Sequence, residues 1–458
     1  MSMRSEKDFD PHQIKGIKFS LDRDASYLAL DMGLGKTVCA LTVAKHWIDH
    51  CDVSAVLYVA PINVCLTVVA QEADEWSHLT GLKFVLLHGK DKDELLKQHA
   101  DVYIINPEGV KWLHATLHKR LRWVKPTFPF SGMIVDEGTK FKGRGVQWSK
   151  LKAMFRIFNK RIVMSGRPAP NSLLDMWGQI FLLDQGERLG HSYTAFRSKY
   201  FMSDYMGYSW ELKSNKHKKQ IYSKIADLMY TVKARKGDLP KLKFKDIVIT
   251  LSPANRKTYD TLKRKKIVEF NQEKLKAKNA MSLTMKLRQF SQGLIYCDDH
   301  VVNIHNDKYN ALKNIVESVQ GKPVMVVYNF NHERDYLCGK FNAPYIGGGV
   351  SKIERKELMA KWNKGKIPVM LVHPRSAGHG LNLQFGGFQI VFYSPTFSSD
   401  DYHQIIARLR RKGQLSPFVI VYQLIAEGTI DTYIYDCIRL KDKTHEGLMG
   451  AVLKYLED

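Results

Sequence analysis

The residues with the plainest chemical meaning are Gly33-Leu34-Gly35-Lys36-Thr37, which follow the apolar run Tyr27–Leu30 and precede an apolar-periodic segment from Val38 to Ile48. A buried strand, a glycine-rich turn and a helix start, in that order, aim backbone N–H groups at an anion, because the first turn of a helix leaves those groups without intrahelical partners. Lys36 then stands where an amine reaches β- and γ-phosphates, and the Thr37 hydroxyl stands where a magnesium ion is held. Leu30 occupies the position at which the strict G-x-x-x-x-G-K-S/T pattern has its first glycine. Taken alone, the segment also fits an ordinary glycine-rich turn.

Two further groups carry chemistry. Met133-Ile134-Val135-Asp136-Glu137 is an apolar run ending in two acids. In a parallel sheet the carboxyl ends of strands face the ligand crevice. An acid there holds a metal, and a second orients or deprotonates the attacking water, so Asp136 is assigned to the metal and Glu137 to the water. By itself a strand ending in Asp-Glu also serves as a helix cap. Ile405 through Gln414 is an arginine-rich helix end carrying Arg408, Arg410 and Arg411. A guanidinium arriving from a second domain stabilises the charge that spreads over a γ-phosphate during transfer. The plainer alternative is a basic C-terminus complementing its own helix dipole.

Composition sets the frame for these groups. The 458 residues allow two or three domains with ample core, and the apolar share of 44% with 25% charged is that of a folded protein. No apolar run reaches membrane-spanning length, and the polar start, Met1–Asp10, is unlike a secretory signal. The six cysteines are scattered without C-x-x-C or Cys/His spacing, which supports neither zinc nor a disulfide framework and fits a reducing cytoplasm, bacterial or of a virus-infected host. Lys+Arg number 70 against 46 Asp+Glu, a net +24 that implies a polyanionic partner. The excess is local: Lys213 to Lys278 holds 20 basic against 6 acidic residues, +14 of that total.

Short apolar runs that read as buried strands alternate with amphipathic stretches in two regions. In the first they are Ser26–Leu30, Ala55–Ala60, Phe84–Leu87, Val102–Ile105, Met133–Val135 and Arg161–Met164, with helices such as Lys36–Trp47 and Val64–Trp76 between them. In the second they are Val324–Tyr328, Val369–Val372, Ile390–Tyr393 and Val419–Leu424, with helices at Phe330–Cys338, Lys352–Trp362, Asp400–Arg410 and Thr429–Arg439. This pattern predicts two α/β domains with parallel sheets. Between them, residues 186–300 are lysine-rich and read as largely helical, with a long helix over Asn255–Lys278. The aromatic residues Phe196, Tyr200, Phe201, Tyr205, Tyr208 and Trp210 read as a small core of that segment, with base stacking as the alternative.

The ordered set of motifs resembles a superfamily two helicase, and most closely the Swi/Snf-type branch of double-stranded DNA translocases. The resemblance extends from Asp10 to Ile430. Phe9-Asp10-Pro11-His12-Gln13 is similar to the Q motif, which implies that Gln13 reads adenine. Met32-Gly33-Leu34-Gly35-Lys36-Thr37 is similar to motif I in the form of this branch, which lacks the early glycine. Ala60-Pro61 and Asn106-Pro107-Glu108 resemble motifs Ia and Ib, which face nucleic acid. Asp136-Glu137-Gly138-Thr139 resembles motif II, and Ser165-Gly166-Arg167-Pro168 with Asn171 resembles motif III, which links ATP state to DNA contact. Val324–Tyr328 resembles motif IV, and Gly378-His379-Gly380-Leu381-Asn382-Leu383 resembles motif V, which feels both DNA and nucleotide. Gln404, Arg408, Arg411, Gly413 and Gln414 fall in register with motif VI, implying an arginine finger at Arg411 and γ-phosphate sensing by Arg408. Arg235-Lys236 and Leu239-Pro240 resemble the segment that joins the insertion to the second lobe.

The resemblance implies two RecA-like lobes of the P-loop NTPase class, residues 1–185 and 301–458, with the basic insertion 186–300 between them. It implies ATP and Mg2+ as cofactors, ATP bound between the lobes, and DNA contacted through Pro61, Asn106, Gly378, Asn382, Arg235 and Lys236. Gly380 joins Met32, Gly33, Leu34, Gly35 and Thr37 at the nucleotide. The expected activity is ATP-driven translocation on double-stranded DNA. A strand-separating helicase and an ATP-regulated DNA-binding module with little turnover are the alternatives. Thr139 stands where the family usually has histidine, Arg167 replaces a common threonine, and Ser394-Pro395-Thr396-Phe397 replaces an acidic, tryptophan-bearing segment. The histidine position couples hydrolysis to DNA contact through motif III, so that coupling is expected to differ. The short chain, with no reader module, suggests a bacterial or viral protein whose partner in trans is a nuclease or a replication or recombination protein.

Overall fold

The computed structural model describes residues 3–62, 64–65, 69–120, 129–143, 145–169, 172–203, 210–232, 237, 239–265, 267–270, 273–276, 280–297, 300–377 and 381–440. The chain divides into two compact units, Met1–Arg235 and Lys236–Asp458, so residues 186–235 belong to the first and 236–300 to the second.

The first unit is built on β1 (Ala25–Leu30), β2 (Val56–Val59), β3 (Phe84–Leu86), β4 (Val102–Ile105), β5 (Gly132–Asp136) and β6 (Lys160–Met164). A hairpin of β7 (Phe201–Ser203) and β8 (Trp210–Leu212) follows, and then β9 (Met229–Val232). The main sheet has the order β3-β4-β2-β5-β6-β1-β9, and every pairing in it is parallel. Parallel strands are covered on both faces, which is why their sequences are apolar throughout. Alternate residues serve opposite layers: Tyr27, Leu57, Tyr103, Met133 and Val163 enter one core, and Leu28, Tyr58, Ile104, Ile134 and Ile162 the other. Because the strands run the same way, their carboxyl ends share one edge.

The second unit begins with β10 (Lys241–Ile249), followed by hairpins of β11 (Ile267–Phe270) with β12 (Glu273–Lys276) and of β13 (Leu294–Cys297) with β14 (His300–Asn303). Then come β15 (Val324–Val327), β16 (Tyr345–Ile346), β17 (Val369–Val372), β18 (Gln389–Phe392) and β19 (Phe418–Ala426). Its all-parallel sheet has the order β10-β19-β18-β15-β17-β16. Again two layers flank it, with Met325, Met370, Ile390 and Val421 on one side and Val326, Leu371, Val391 and Leu424 on the other.

Two expectations change. The long helix over Asn255–Lys278 is instead the helix Pro253–Lys265 followed by the β11–β12 hairpin. The lysine-rich stretch also contributes strands to both main sheets: β9 pairs with β1, and β10 pairs with β19 along nine residues. In the aromatic cluster, Phe196, Tyr200 and Phe201 are buried in the first core, while Tyr205 and Tyr208 lie outside the described residues. Trp210 is half-buried, with the Arg197 guanidinium 4.0 Å from its ring centre. Among the described residues no helix is long and apolar enough to cross a membrane, and no group of His, Cys, Asp and Glu is placed to hold a metal ion.

The second unit is pinned by a fully buried ion pair between Lys308 and Asp431. Lys308 Nζ also donates to Gln292 Oε1 at 2.7 Å and to the Tyr393 carbonyl at 3.1 Å, and Gln292 Nε2 donates to Asp431 Oδ1 at 3.1 Å. Burial pulls the amine's pKa down, and the Asp431 charge opposes that shift. Removing one partner of such a pair leaves an uncompensated buried charge. Lys308→Met is therefore expected to destabilise the second unit by about 3–5 kcal/mol in urea unfolding. Lys308→Met with Asp431→Leu should lose less than the two single changes summed.

Candidate functional site

Leu30, the last residue of β1, leads into the turn that the sequence marks for phosphate. Gly33 and Gly35 both take left-handed φ values, +88° and +75°, which glycine adopts without the Cβ penalty. Helix Lys36–Asp49 starts directly after Gly35, with no side-chain cap. Lys36 Nζ donates to the carbonyls of Leu30 at 2.9 Å and Asp31 at 3.4 Å, so the amine is held over its own loop. Gln13 packs on this loop: its Oε1 accepts from Asp10 N at 2.8 Å, and its Nε2 donates to the Leu34 carbonyl at 3.4 Å. A Cβ on Gly35 would meet Gln13 Nε2 at 2.1 Å and displace that amide from the loop, besides straining the left-handed φ.

Asp136 ends β5, and only 6% of it is exposed. Its Oδ1 accepts from Glu137 N at 2.9 Å, and its Oδ2 accepts from the Tyr58 hydroxyl at 3.3 Å. Burial first, and the Asp136 charge second, push the Tyr58 hydroxyl well above its ordinary pKa, so it stays a donor. Glu137 is half-buried with φ +54° and ψ +56°, a left-handed conformation uncommon for a residue with a Cβ. This conformation turns the chain sharply at the end of β5.

The sheet order explains why these residues share one edge. β6 lies between β5 and β1, so the Asp136 and Leu30 ends are separated by one strand, and Ser165-Gly166 continue β6 between them. A Cβ on Gly166 would lie 2.9 Å from Met32 Cγ and 3.2 Å from Lys36 Nζ, which places the motif III glycine directly over the phosphate loop. Pro61 follows the end of β2 and Asn106 that of β4, on the same edge. Asn106 Nδ2 donates to Glu108 Oε2 at 2.6 Å. The residues present fit a magnesium nucleotide: a glycine cradle that side chains would fill, a lysine amine within it, the Thr37 hydroxyl in the first helical turn, and a buried carboxylate on the same edge.

In the second unit, helix Ser399–Leu409 carries Arg408, which is buried and donates from Nε to the Gln404 carbonyl at 3.2 Å. Arg411 is half-buried, and its Nη1 donates to the Asn382 side-chain oxygen and to the Leu381 carbonyl. Gln414 Nε2 donates to the Gly387 carbonyl at 2.9 Å. Asn363 Nδ2 donates to the Asn382 carbonyl at 2.7 Å, and Trp362 Nε1 to the Leu383 carbonyl at 2.9 Å. Motifs V and VI are thus stitched together, with Asn382 and Arg411 in direct contact. The segment Ser394–Phe397 is held by Arg288, which donates to the Pro395 carbonyl at 2.9 Å and lies 4.0 Å from the Phe397 ring centre.

In the first unit Gln13 packs on the loop that carries Lys36 and Thr37, with Asp136 and Glu137 on the same edge one strand away; in the second Arg411 meets Asn382, and Arg408 lies on the preceding helix, bonded to the Gln404 carbonyl. Asn171, Arg235, Lys236, Gly378 and Gly380 lie outside the described residues. Sequence reasoning missed Tyr27 and Gln179, whose hydroxyl and amide meet at 2.6 Å beneath this edge. The available signal was a single amide inside the apolar run Met176–Leu183.

Residues 12–294 match the SNF2-related domain family, and residues 307–413 match the helicase conserved C-terminal domain. The chain is 31% identical over 464 residues to putative protein p41 of Acyrthosiphon pisum secondary endosymbiont phage 1, covering 96% of this chain and 98% of that one. It is 24% identical to a SWI/SNF-related matrix-associated actin-dependent regulator of chromatin, subfamily A-like protein 1, of Xenopus tropicalis, covering 94% of this chain but 44% of the frog protein. The solved SWI2/SNF2 ATPase core of Sulfolobus solfataricus in complex with dsDNA is 20% identical, with a TM-score of 0.44, covering 98% of this chain and 94% of that one. With the family match spanning more than half of the chain and the two parallel-sheet lobes in place, the protein belongs to the Swi/Snf-type branch of the superfamily two helicases, a family of ATP hydrolases that generally use magnesium.

Proposed function

We propose that the chain is a DNA-dependent ATPase that moves along double-stranded DNA, with lobes at 1–185 and 301–458 and a basic insertion at 186–300. The observation that carries this reading is the shared edge of the first unit, where the Lys36 amine follows the carboxyl end of β1 and the buried Asp136 carboxylate and left-handed Glu137 lie at the carboxyl end of β5, one strand away. Gln13 recognises the adenine, and the N–H groups from Gly33 to Thr37 hold the phosphates with Lys36. Thr37 and Asp136 hold the magnesium ion, which neutralises phosphate charge when bound. Glu137 takes the proton of the attacking water. Arg411 supplies the guanidinium that stabilises the transition state, and Arg408 senses the γ-phosphate. Pro61, Asn106, Gly378 and Asn382 face the DNA with Arg235 and Lys236, and the +14 stretch from Lys213 to Lys278 adds sequence-independent affinity.

The test is ATP turnover with single-stranded, duplex, forked and RNA ligands, together with a salt titration of duplex binding. Duplex DNA is expected to stimulate turnover strongly, and duplex affinity to fall steeply and log-linearly with salt. A strand-displacement assay run beside a translocation control separates movement from unwinding. A rate that ignores DNA, paired with ATP-dependent DNA affinity, would favour a binding module instead. The Thr139 and Arg167 departures are what motivate that comparison.

A further inference from the structure

Position 139 holds a threonine, where the family resemblance calls for a histidine that joins motif II to motif III. A threonine has one short hydroxyl and lacks the span of an imidazole. A buried polar pair lies between the two motifs: Gln179 bonds the Pro168 carbonyl and the Tyr27 hydroxyl.

Gln179, on helix Leu174–Asp184, has no exposed surface. Its Nε2 donates to the Pro168 carbonyl at 2.8 Å and to the Asp175 carbonyl at 2.8 Å. With both N–H bonds directed at carbonyls, the amide has one orientation, and its Oε1 accepts from the Tyr27 hydroxyl at 2.6 Å. Tyr27 is also fully buried and stands on β1, the strand that carries the phosphate loop, in register with Val163 of β6. Burial first, and the Glu137 charge second, raise the pKa of its hydroxyl, while a hydrogen bond with Ser165 opposes the shift. The hydroxyl therefore stays protonated and sits within the field of Glu137 and the reach of Ser165. The same amide oxygen closes on motif II, because a Cβ on Gly138 would lie 2.9 Å from Gln179 Oε1.

We propose that Tyr27 and Gln179 are a positioning pair that ties the Glu137 end of the hydrolysis site to the Ser165–Pro168 turn, replacing the link that histidine at position 139 makes elsewhere in the family. This rests on the reading of the chain as a DNA-dependent ATPase. Movement of the Pro168 carbonyl on DNA contact shifts the Gln179 amide, and the Tyr27 hydroxyl passes the shift to the surroundings of Glu137. The links from the Pro168 carbonyl through Gln179 to the Tyr27 hydroxyl are neutral, buried hydrogen bonds, which makes that part of the connection stiff.

The test uses Tyr27→Phe, which deletes one oxygen and keeps the ring, and Gln179→Met, which keeps the length of the side chain. ATP turnover is measured against ATP concentration, with and without saturating duplex, and thermal unfolding is recorded for each variant. In both variants the ratio of duplex-stimulated to DNA-free turnover is expected to fall about three- to tenfold, the size of one lost buried hydrogen bond. The loss should appear in kcat, with KM for ATP within about twofold, and the double variant should lose no more than the worse single one, as for residues acting in one network. Full stimulation in a folded Tyr27→Phe protein would overturn the proposal, as would a lowered melting temperature with unchanged kinetics. Should Gln179→Met not fold, Tyr27→Phe alone decides. An unmutated chain that duplex DNA does not stimulate would overturn the DNA-dependence reading and this proposal together, whereas stimulation that survives both substitutions overturns this proposal only.

Discussion

Glu137→Gln is expected to lower ATP turnover by about 10²–10⁴-fold while leaving ATP binding in place, the range that a positioned general base contributes. The substitution keeps the volume of the side chain and asks nothing new of the left-handed turn at φ +54°, so the loss is chemical and folding is unaffected. The Glu137 N–H to Asp136 Oδ1 bond at 2.9 Å belongs to the backbone and survives the change. Lys36→Ala behaves differently. It removes the amine that Leu30 and Asp31 carbonyls hold over the loop, so nucleotide affinity and turnover fall together. Isothermal titration with ATP beside steady-state turnover separates the two outcomes. Glu137→Gln with more than a tenth of the parent rate would remove Glu137 from its assigned role.

Arg411→Ala is expected to reduce kcat by about 10³–10⁵-fold with a small effect on ATP affinity, because an arginine finger acts on charge that appears only in the transition state. The guanidinium is tied to Asn382 and to the Leu381 carbonyl, which places it in a structured setting and limits the freedom it must lose on reaching a phosphate. Arg411→Lys should recover little, since an ammonium lacks the planar fork that binds two phosphate oxygens at once. Arg408→Ala serves as the comparison. That side chain is buried and donates to the Gln404 carbonyl, so its removal also loosens the helix Ser399–Leu409 and should lower the melting temperature, which Arg411→Ala should not. A loss in kcat below tenfold for Arg411→Ala would take the finger away from this residue.

The central strands of both sheets were legible because parallel strands are apolar on both faces, as in Val102–Ile105 and Val369–Val372, where the boundaries read from sequence and those of the structure coincide. β10 was not legible. It is an edge strand, largely exposed, with Lys241, Lys243 and Lys245 alternating along it, and only its pairing with β19 makes it a strand. The two-residue β16 is too short to carry a pattern. Over Asn255–Lys278, lysine-rich helical composition continued past the point at which the chain turns into a hairpin, since lysine is at home in exposed helices and on exposed edges alike.

In the candidate site, Lys36, Asp136 and Glu137 could be singled out from sequence because phosphate and metal chemistry call for those residue types just beyond the carboxyl ends of parallel strands. Tyr27 and Gln179 were not, because a tyrosine in a buried strand and a lone amide in an apolar helix read as core until their partners are known. The same holds for Lys308, whose partner Asp431 is more than a hundred residues away.

The most direct measurement is a structure of the chain with duplex DNA, magnesium and a nucleotide mimic of the transition state. The Arg411 guanidinium is expected at hydrogen-bond distance, about 3 Å, from the mimic of the transferred phosphate, with Lys36 on the same group. Arg411 still engaged with Asn382 and remote from a nucleotide held by Lys36 would contradict that expectation.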